Sequence, residues 1–203
     1  MRVLKFTPKG RFGSNAFVLI SGTDAAIVDP SVEYSRVNME IQAENLRFRY
    51  VILTHAHFDH ILEIDGWVKN TGATVIVGEQ DAAMLADPYL NCYRLFSNSD
   101  MGYYGSYKTV KNADHIHLGN EIIKVMHTPG HTPGSITLCS DDALFVGDTL
   151  FFGGSWGRCD LPGGDEGRIF SSIKTILSES KNKTVYSGHG PDTTLKELKS
   201  NFI

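Results

Sequence analysis

Residues 54–60 read Thr54-His55-Ala56-His57-Phe58-Asp59-His60, with three histidines and a carboxylate inside six consecutive positions. They directly follow Tyr50-Val51-Ile52-Leu53, a continuous apolar run of the kind found in strands covered on both faces. Imidazole nitrogens and carboxylate oxygens are the donors that zinc and iron prefer. Packing four such side chains at the end of one strand has little structural rationale. The block therefore constrains the fold: it must close a strand end over a metal site.

The bulk numbers leave that reading room. A chain of 203 residues can form one domain with a substantial core. Its 41% apolar and 21% charged residues are those of an ordinary globular protein. The net charge is −4 and no Lys/Arg-rich run occurs, so nucleic acid is not an expected partner. No apolar stretch approaches the ~20 residues of a membrane helix, so no membrane is expected either. Met1-Arg2-Val3-Leu4-Lys5-Phe6 reads as a first strand rather than an export signal, which makes the cytoplasm the expected location. Cys92, Cys139 and Cys159 are odd in number and widely spaced, consistent with a reducing compartment and no disulfide framework. Cys139 lies in an alternating strand and is expected in the core. Cys159 lies in a Gly-rich loop, where it could face the site.

The first half reads as strands at Arg2–Phe6, Asn15–Ile20, Ala25–Asp29, Tyr50–Leu53 and Thr74–Val77. Helices are expected over Val37–Asn45, Leu62–Thr71 (closed by Gly72) and Gln80–Ala86. Residues 87–110 fit no period but hold Tyr89, Tyr93, Phe96, Tyr103, Tyr104 and Tyr107. So aromatic a stretch is expected to be an ordered flap, with Tyr103 and Tyr104 as candidates for substrate contact. Strands follow at Ile116–Leu118, Glu121–His127, Ser135–Cys139, Ala143–Val146 and Thr184–Tyr186, with helices over Arg168–Leu177 and Leu195–Asn201. A weak internal echo joins the halves: Gly13-Ser14 and Gly134-Ser135 each open a strand pair that ends at an aspartate, Asp29 or Asp148. Two β-rich halves, each followed by helix, predict a pseudo-symmetric sandwich with helices outside.

Four ligands at one strand end rarely suffice for two metals, so further donors are expected downstream. His131 sits in Thr128-Pro129-Gly130-His131-Thr132-Pro133-Gly134, Asp148 in Val146-Gly147-Asp148-Thr149, and His189 in Ser187-Gly188-His189-Gly190. Each follows a strand and is flanked by glycine, where loops converge and backbones approach closely. Singly, each is more often a turn residue than a ligand. Together with the block they give seven candidates, His55, His57, Asp59, His60, His131, Asp148 and His189, a count that matches two metals sharing one carboxylate and one water. The remaining histidines take plainer readings: His115 and His117 alternate on one exposed strand face, and His127 orients a loop or fills core. Thr54 and Asp29 are candidates to support the ligands or the local structure, and for Asp29, before Pro30, a turn cap is the expected role.

These motifs, T-H-x-H-x-D-H, T-P-G-H-T-P-G, G-D-T-L-F and S-G-H-G-P, resemble in order and context those of the metallo-β-lactamase superfamily. Within it the chain is most similar to the glyoxalase II (hydroxyacylglutathione hydrolase) branch in its short form, through Gly147-Asp148-Thr149-Leu150-Phe151 and the later Gly157-Arg158-Cys159-Asp160-Leu161-Pro162-Gly163-Gly164-Asp165. The resemblance implies an α+β fold, a four-layer αββα sandwich, as a single domain over residues 1–203 without the glutathione-binding helical domain of the long enzymes. It also implies His55, His57 and His131 on one metal, Asp59, His60 and His189 on the other, and Asp148 between them.

Two divalent ions, Zn2+ or else Fe or Mn, would make a hydroxide from water at neutral pH and polarise an ester or thioester carbonyl. Asp59 is expected to orient that nucleophile. A small-molecule thioester or ester is the expected substrate, with Arg158, Cys159, Tyr103 and Tyr104 as candidate contacts; Arg158 could equally pair with Asp160 or Asp165. Two rivals share the sequence. One is a persulfide dioxygenase-like protein with a single iron. The other is a metal-binding or redox module without catalysis. Nothing in the sequence settles the oligomeric state.

Overall fold

Neighbouring residues in the central strands enter different cores, and that alternation builds the layers. A computed structural model of the chain describes residues 1–10 and 12–202. In β2 (Ala16–Ser21), Ala16, Val18 and Ile20 face one side while Phe17 and Leu19 face the other. The same alternation runs through β3 (Asp24–Val28), β4 (Arg47–Ile52) and β5 (Thr74–Gly78). A strand buried on both faces needs a cover on each, and here one cover is helical and the other is a second sheet.

The first sheet runs β1-β2-β3-β4-β5-β6, with β1 at Arg2–Phe6 and β6 at Tyr107–Val110. The second runs in the order β12-β11-β10-β9-β8-β7. Its members are β7 (His115–Leu118), β8 (Glu121–His127), β9 (Ile136–Cys139), β10 (Ala143–Gly147), β11 (Thr184–Ser187) and the two-residue β12 (Thr193–Thr194). Phe17, Leu19, Ile52 and Ile76 of the first sheet meet Ile123, Val125, Leu138 and Phe145 of the second in the central core. Helices α1 (Tyr34–Ile41) and α2 (Ile64–Thr71) cover the first sheet's outer face through Val37, Ile41, Ile64 and Trp67. Helices α3 (Glu166–Leu177) and α4 (Leu195–Asn201) cover the second through Ile169, Ile173, Ile176, Leu195 and Leu198. The result is the expected αββα sandwich. No helix among the described residues is long and apolar enough to cross a membrane.

Local chemistry sets the ends of these elements. Gly72 closes α2 at φ 65°, a left-handed cap, and its N–H bonds Val68. Asp165 and Thr194 cap α3 and α4 by accepting from Arg168 N and Glu197 N. Three expectations shift. The Val37–Asn45 helix starts earlier, at Tyr34, and ends in a 3-10 turn at Gln42–Glu44 with Asn45 left-handed at φ 48°. Gln80–Ala86 is a 3-10 segment over Glu79–Met84 rather than an α-helix. The 87–110 stretch ends in β6, which pairs in parallel with β5 from Val75↔Tyr107 to Gly78↔Val110. As an edge strand with most residues exposed, it carries no apolar alternation to announce itself.

Strand direction puts the chemistry at one edge. Strands β3, β4 and β5 are mutually parallel, as are β10 and β11. Residues 53–60, 148 and 189 therefore leave the same ends of their sheets.

Trp67 is the largest side chain fully buried beneath the first sheet, packed edge-on against Tyr34 and Phe48 with ring centroids 5.2 and 5.0 Å away. Its indole N–H donates to Val32 O at 2.7 Å. Trp67→Ala should cost about 3–5 kcal/mol through the void and the unpaired carbonyl, read as a fall in the urea unfolding midpoint.

Candidate metal centre

The turn after β4 is held by buried carboxylates before any ion is considered. Asp29, 1% exposed, accepts from Thr54 N at 2.8 Å and Thr54 Oγ1 at 2.7 Å, and from His60 Nδ1 at 2.9 Å. Of the two roles open to Asp29, the turn cap gives way to the supporting one: its carboxylate orients a candidate ligand. A carboxylate can only accept from Nδ1–H, so the Nε2 of a neutral His60 carries the lone pair. Asp81, fully buried, accepts from Ala56 N at 3.1 Å, Thr132 Oγ1 at 2.7 Å and Gly134 N at 2.6 Å. It ties the 54–60 turn to the loop that carries His131. Burial pushes the Asp81 carboxyl upward, opposed by those hydrogen bonds.

Asn15 anchors the last loop. Its backbone N–H donates to Gly188 O at 2.7 Å, and its Nδ2 donates to Ser187 O and Gly190 O, each at 3.0 Å. Ser14 N reaches Asp59 O at 3.1 Å, and the Ser31 hydroxyl donates to the same carbonyl. Gly188 is required where it stands: a Cβ there would lie 2.2 Å from Asp148 Oδ1 and 2.7 Å from His60 Cε1.

All seven expected ligands converge. Ligand atoms of His55, His57 and His131 lie within 4.8 Å of one another, as do those of Asp59, His60 and His189, and those of His55, His60 and Asp148. His131 Nδ1 lies 2.8 Å from Arg158 O, to which it can only donate, so the Nε2 of a neutral His131 offers a lone pair. That Nε2 sits 2.9 Å from His57 Nδ1 and 3.2 Å from His55 Nε2. Asp148 reaches toward both groups, with Oδ1 3.4 Å from His60 Nε2 and Oδ2 3.4 Å from His189 Nε2 and 3.6 Å from His131 Nε2. His189 Nε2 is 3.1 Å from Asp59 Oδ2.

Burial, and then the charges of neighbouring histidines, hold His55 well below an ordinary imidazole. The same two causes bring His57 down to about 3. Burial also opposes charge on His60, but Asp29, Asp59 and Asp148 outweigh it and raise His60 well above the usual range. His189 is likewise raised against its burial, to about 9, by the hydrogen bonds it donates to Asp148 and Asp59. Against their own burial, Asp148 is held well below the carboxylate range and Asp59 is lowered, in both cases chiefly by His60. Among the described residues, the buried side-chain atoms without a hydrogen-bond partner are His57 Nε2, His60 Nε2 and Asp148 Oδ1. Orphaned buried donors and acceptors are costly, and all three belong to this cluster. Imidazole and carboxylate groups with unmet lone pairs are what a divalent cation of the Zn, Fe or Mn type fits.

The cluster floors a cavity of about 440 Å3. Phe12, Phe58, Phe96, Phe151, Trp156 and Leu161 form its apolar wall, with Cys92 and Arg158 also on the surface. Arg158 keeps an engaged guanidinium: Nε and Nη2 donate to Asp160, each at 2.6 Å. Three expected contacts fall elsewhere. Tyr103 folds into the first sheet's outer core and donates to Ser106 O at 3.0 Å; Tyr104 is 76% exposed; neither lines the cavity. Cys159 packs against the core of α3 and α4, and burial raises its thiol. The thiol on the cavity wall is Cys92, raised to about 11 by burial.

Residues 10–189 match the family model of the metallo-beta-lactamase superfamily. The chain belongs to that superfamily. It is 35% identical to a probable metallo-hydrolase, YqgX of Bacillus subtilis, over 92% of this chain and 89% of that one. It is 30% identical to the hydroxyacylglutathione hydrolase GloC of Haemophilus influenzae, over 88% and 86%. Among solved structures, the B3 metallo-beta-lactamase BLEG-1 superposes with a TM-score of 0.90 at 32% identity, covering 98% of this chain and 97% of that one. TTHA1623, solved in a di-iron-bound form, gives 0.84 at 28% identity over the full length of both. The superfamily relation makes this a divalent-metal fold of hydrolase lineage.

Two expectations follow. Metal requires neutral imidazole, whereas the carboxylates hold His60 and His189 protonated at pH 7 when no metal is bound. Loading metal-free protein with Zn2+ at pH 7 should therefore release protons, read by calorimetry in buffers of different ionisation enthalpy; metal uptake without release would contradict the charge assignment. Asp29→Asn should weaken retention of one metal about 10–100-fold, measured by chelator competition.

Proposed function

We propose that the chain is a dinuclear metal-dependent hydrolase of thioester or ester bonds, similar to glyoxalase II. The observation that carries this reading is Asp148. Its Oδ2 lies 3.6 Å from His131 of one ligand group and 3.4 Å from His189 of the other, and its Oδ1 lies 3.4 Å from His60 of that second group, so the carboxylate touches both. A single-ion site would leave Asp59 and His189 without an assignment.

His55, His57 and His131 would hold one ion, and Asp59, His60 and His189 the other. Bound there, two divalent ions supply a hydroxide nucleophile at neutral pH and polarise the carbonyl. The chain's own residues do the rest. Asp59 takes its backbone position from Ser14 and Ser31, so its carboxylate is held to orient the attacking oxygen. Asp29 fixes the His60 ring, and the Arg158 carbonyl fixes the His131 ring, so both Nε2 atoms are turned toward the Asp148 carboxylate without reorganisation. The aromatic wall gives the cavity an apolar side beside the candidate ligands. A thiolate leaves without strong acid catalysis. The likeness to the hydroxyacylglutathione hydrolase GloC supports thioester over other bonds, and that to di-iron TTHA1623 supports two ions.

Asp148→Ala should lower thioester turnover by on the order of 10²–10³-fold or more and reduce bound metal below two per chain. Metal content by mass spectrometry, turnover of S-lactoylglutathione, and oxygen uptake with glutathione persulfide check it together. A variant that keeps two metals and full activity would refute the bridging role. One iron with oxygen uptake in the parent protein would replace the hydrolase reading with the dioxygenase.

A further inference from the structure

The cavity carries a second piece of chemistry besides its floor. Phe58, inside the 54–60 block, is 6% exposed, while Phe12 and Phe96 above it are about half exposed, at 49% and 51%. Their ring centroids lie 5.4 Å apart for Phe58 and Phe96, and 6.1 Å for Phe12 against each of the others. Tyr93 backs Phe58 at 5.5 Å. The three phenylalanines come from separate segments: the loop before β2, the ligand block and the 88–106 flap. All three line the cavity beside Asp59 and His57. Half-exposed aromatic rings gathered at the mouth of a metal site are an apolar receptor, because covering them with a ligand removes surface that the fold itself leaves wet.

The charge pattern agrees. Arg158 is the only lysine or arginine lining the cavity among the described residues, and Asp160 already engages its guanidinium. A volume of about 440 Å3 sits toward the small end of ligand cavities, which run from roughly 300 to 1,000 Å3. It suits a compact uncharged substituent better than a large peptide with several charges.

We propose that Phe12, Phe58 and Phe96 form the pocket for an apolar acyl or aryl group, so that the substrate class is thioesters or esters of uncharged apolar acids. This rests on the hydrolase reading above. Within it, the cage and not Arg158 sets specificity. Phe58 couples the two functions, since its neighbours His57 and Asp59 belong to the metal set while its ring forms the pocket base.

The test uses metal-loaded protein and two parallel substrate series, S-acyl thiols and O-acyl phenols, from acetyl to hexanoyl. The value of kcat/KM should climb about two- to fourfold per methylene in whichever series is turned over, and the better series identifies the bond. Phe96→Ala should cut the hexanoyl-to-acetyl ratio by at least about fivefold, with Phe96→Leu intermediate. Turnover that is flat along both series would overturn the cage while leaving the hydrolase reading intact. Turnover of S-lactoylglutathione with none in either series would overturn the cage and leave the hydrolase reading intact; absence of turnover with S-lactoylglutathione as well would sink the hydrolase reading, and the cage is then judged by binding alone. Trp156 lines the cavity while Trp67 is fully buried, so Trp156 fluorescence reports occupancy by S-methyl and S-hexyl thioether probes. Tighter binding of the hexyl probe that weakens in Phe96→Ala supports the cage; equal affinities overturn it.

Discussion

The buried Asp29 carboxylate is the interaction around which the site is organised. It follows β3 in a left-handed conformation at φ 52° and accepts from the backbone and hydroxyl of Thr54 and the ring of His60. A charge this deep is tolerable only when fully hydrogen-bonded. Satisfying it requires β3 and β4 to be parallel neighbours, the chain to turn immediately after Leu53, and His60 to fold back over that turn. Asp81 repeats the logic one strand along, spending its three acceptor contacts on the turn after Leu53 and on the His131 loop. Two carboxylates outside the ligand set thus determine where the ligands stand.

Close approach matters as much as hydrogen bonding. Gly147 ends β10 at φ 52°, and a Cβ there would lie 2.5 Å from Thr54 Oγ1, the hydroxyl that donates to Asp29. Gly188 leaves room for Asp148 and His60. The glycines flanking Asp148 and His189 are therefore spacing elements: they let loops from the second sheet come down onto the turn of the first. Electrostatics completes the picture, since the same cluster divides into histidines kept neutral by burial and histidines kept charged by carboxylates.

Much of this was legible in the sequence because the signals were local. The 54–60 block, the apolar strand before it and the glycine-flanked His131, Asp148 and His189 each announce themselves within a few residues. The strands alternate or run apolar, and the sandwich follows from two β-rich halves each followed by helix. What escaped depends on distance. Asp29 looked like a turn residue because its partners lie 25 and 31 positions away. Asp81 and Asn15 sit in unremarkable contexts, and their importance lies wholly in contacts across the fold. Strand β6 hid because an exposed edge strand has no face to bury. Tyr103 and Tyr104 misled because aromatic content tells that a segment packs, not which surface it packs against. The loop-bound Cys159 drew attention, while Cys92, left-handed at φ 69°, reached the cavity wall.

The strand directions separate the molecule into two poles. Loops that carry the candidate ligands leave the carboxyl ends of β4, β8, β10 and β11. The β2–β3, β7–β8 and β9–β10 connections, at 21–24, 118–121 and 139–143, are tight hairpins at the other end, where Asn120 N bonds the Ser21 hydroxyl. One pole is crowded with interlocking carboxylates and glycines in which almost any change propagates to the candidate ligands. The other is closed by short turns that answer only to their own strands. Sequence drift, fused tags and inserted peptides have a natural home at the second pole, and new substrate preferences must be written into the few lining positions of the first that hold neither a ligand nor its support.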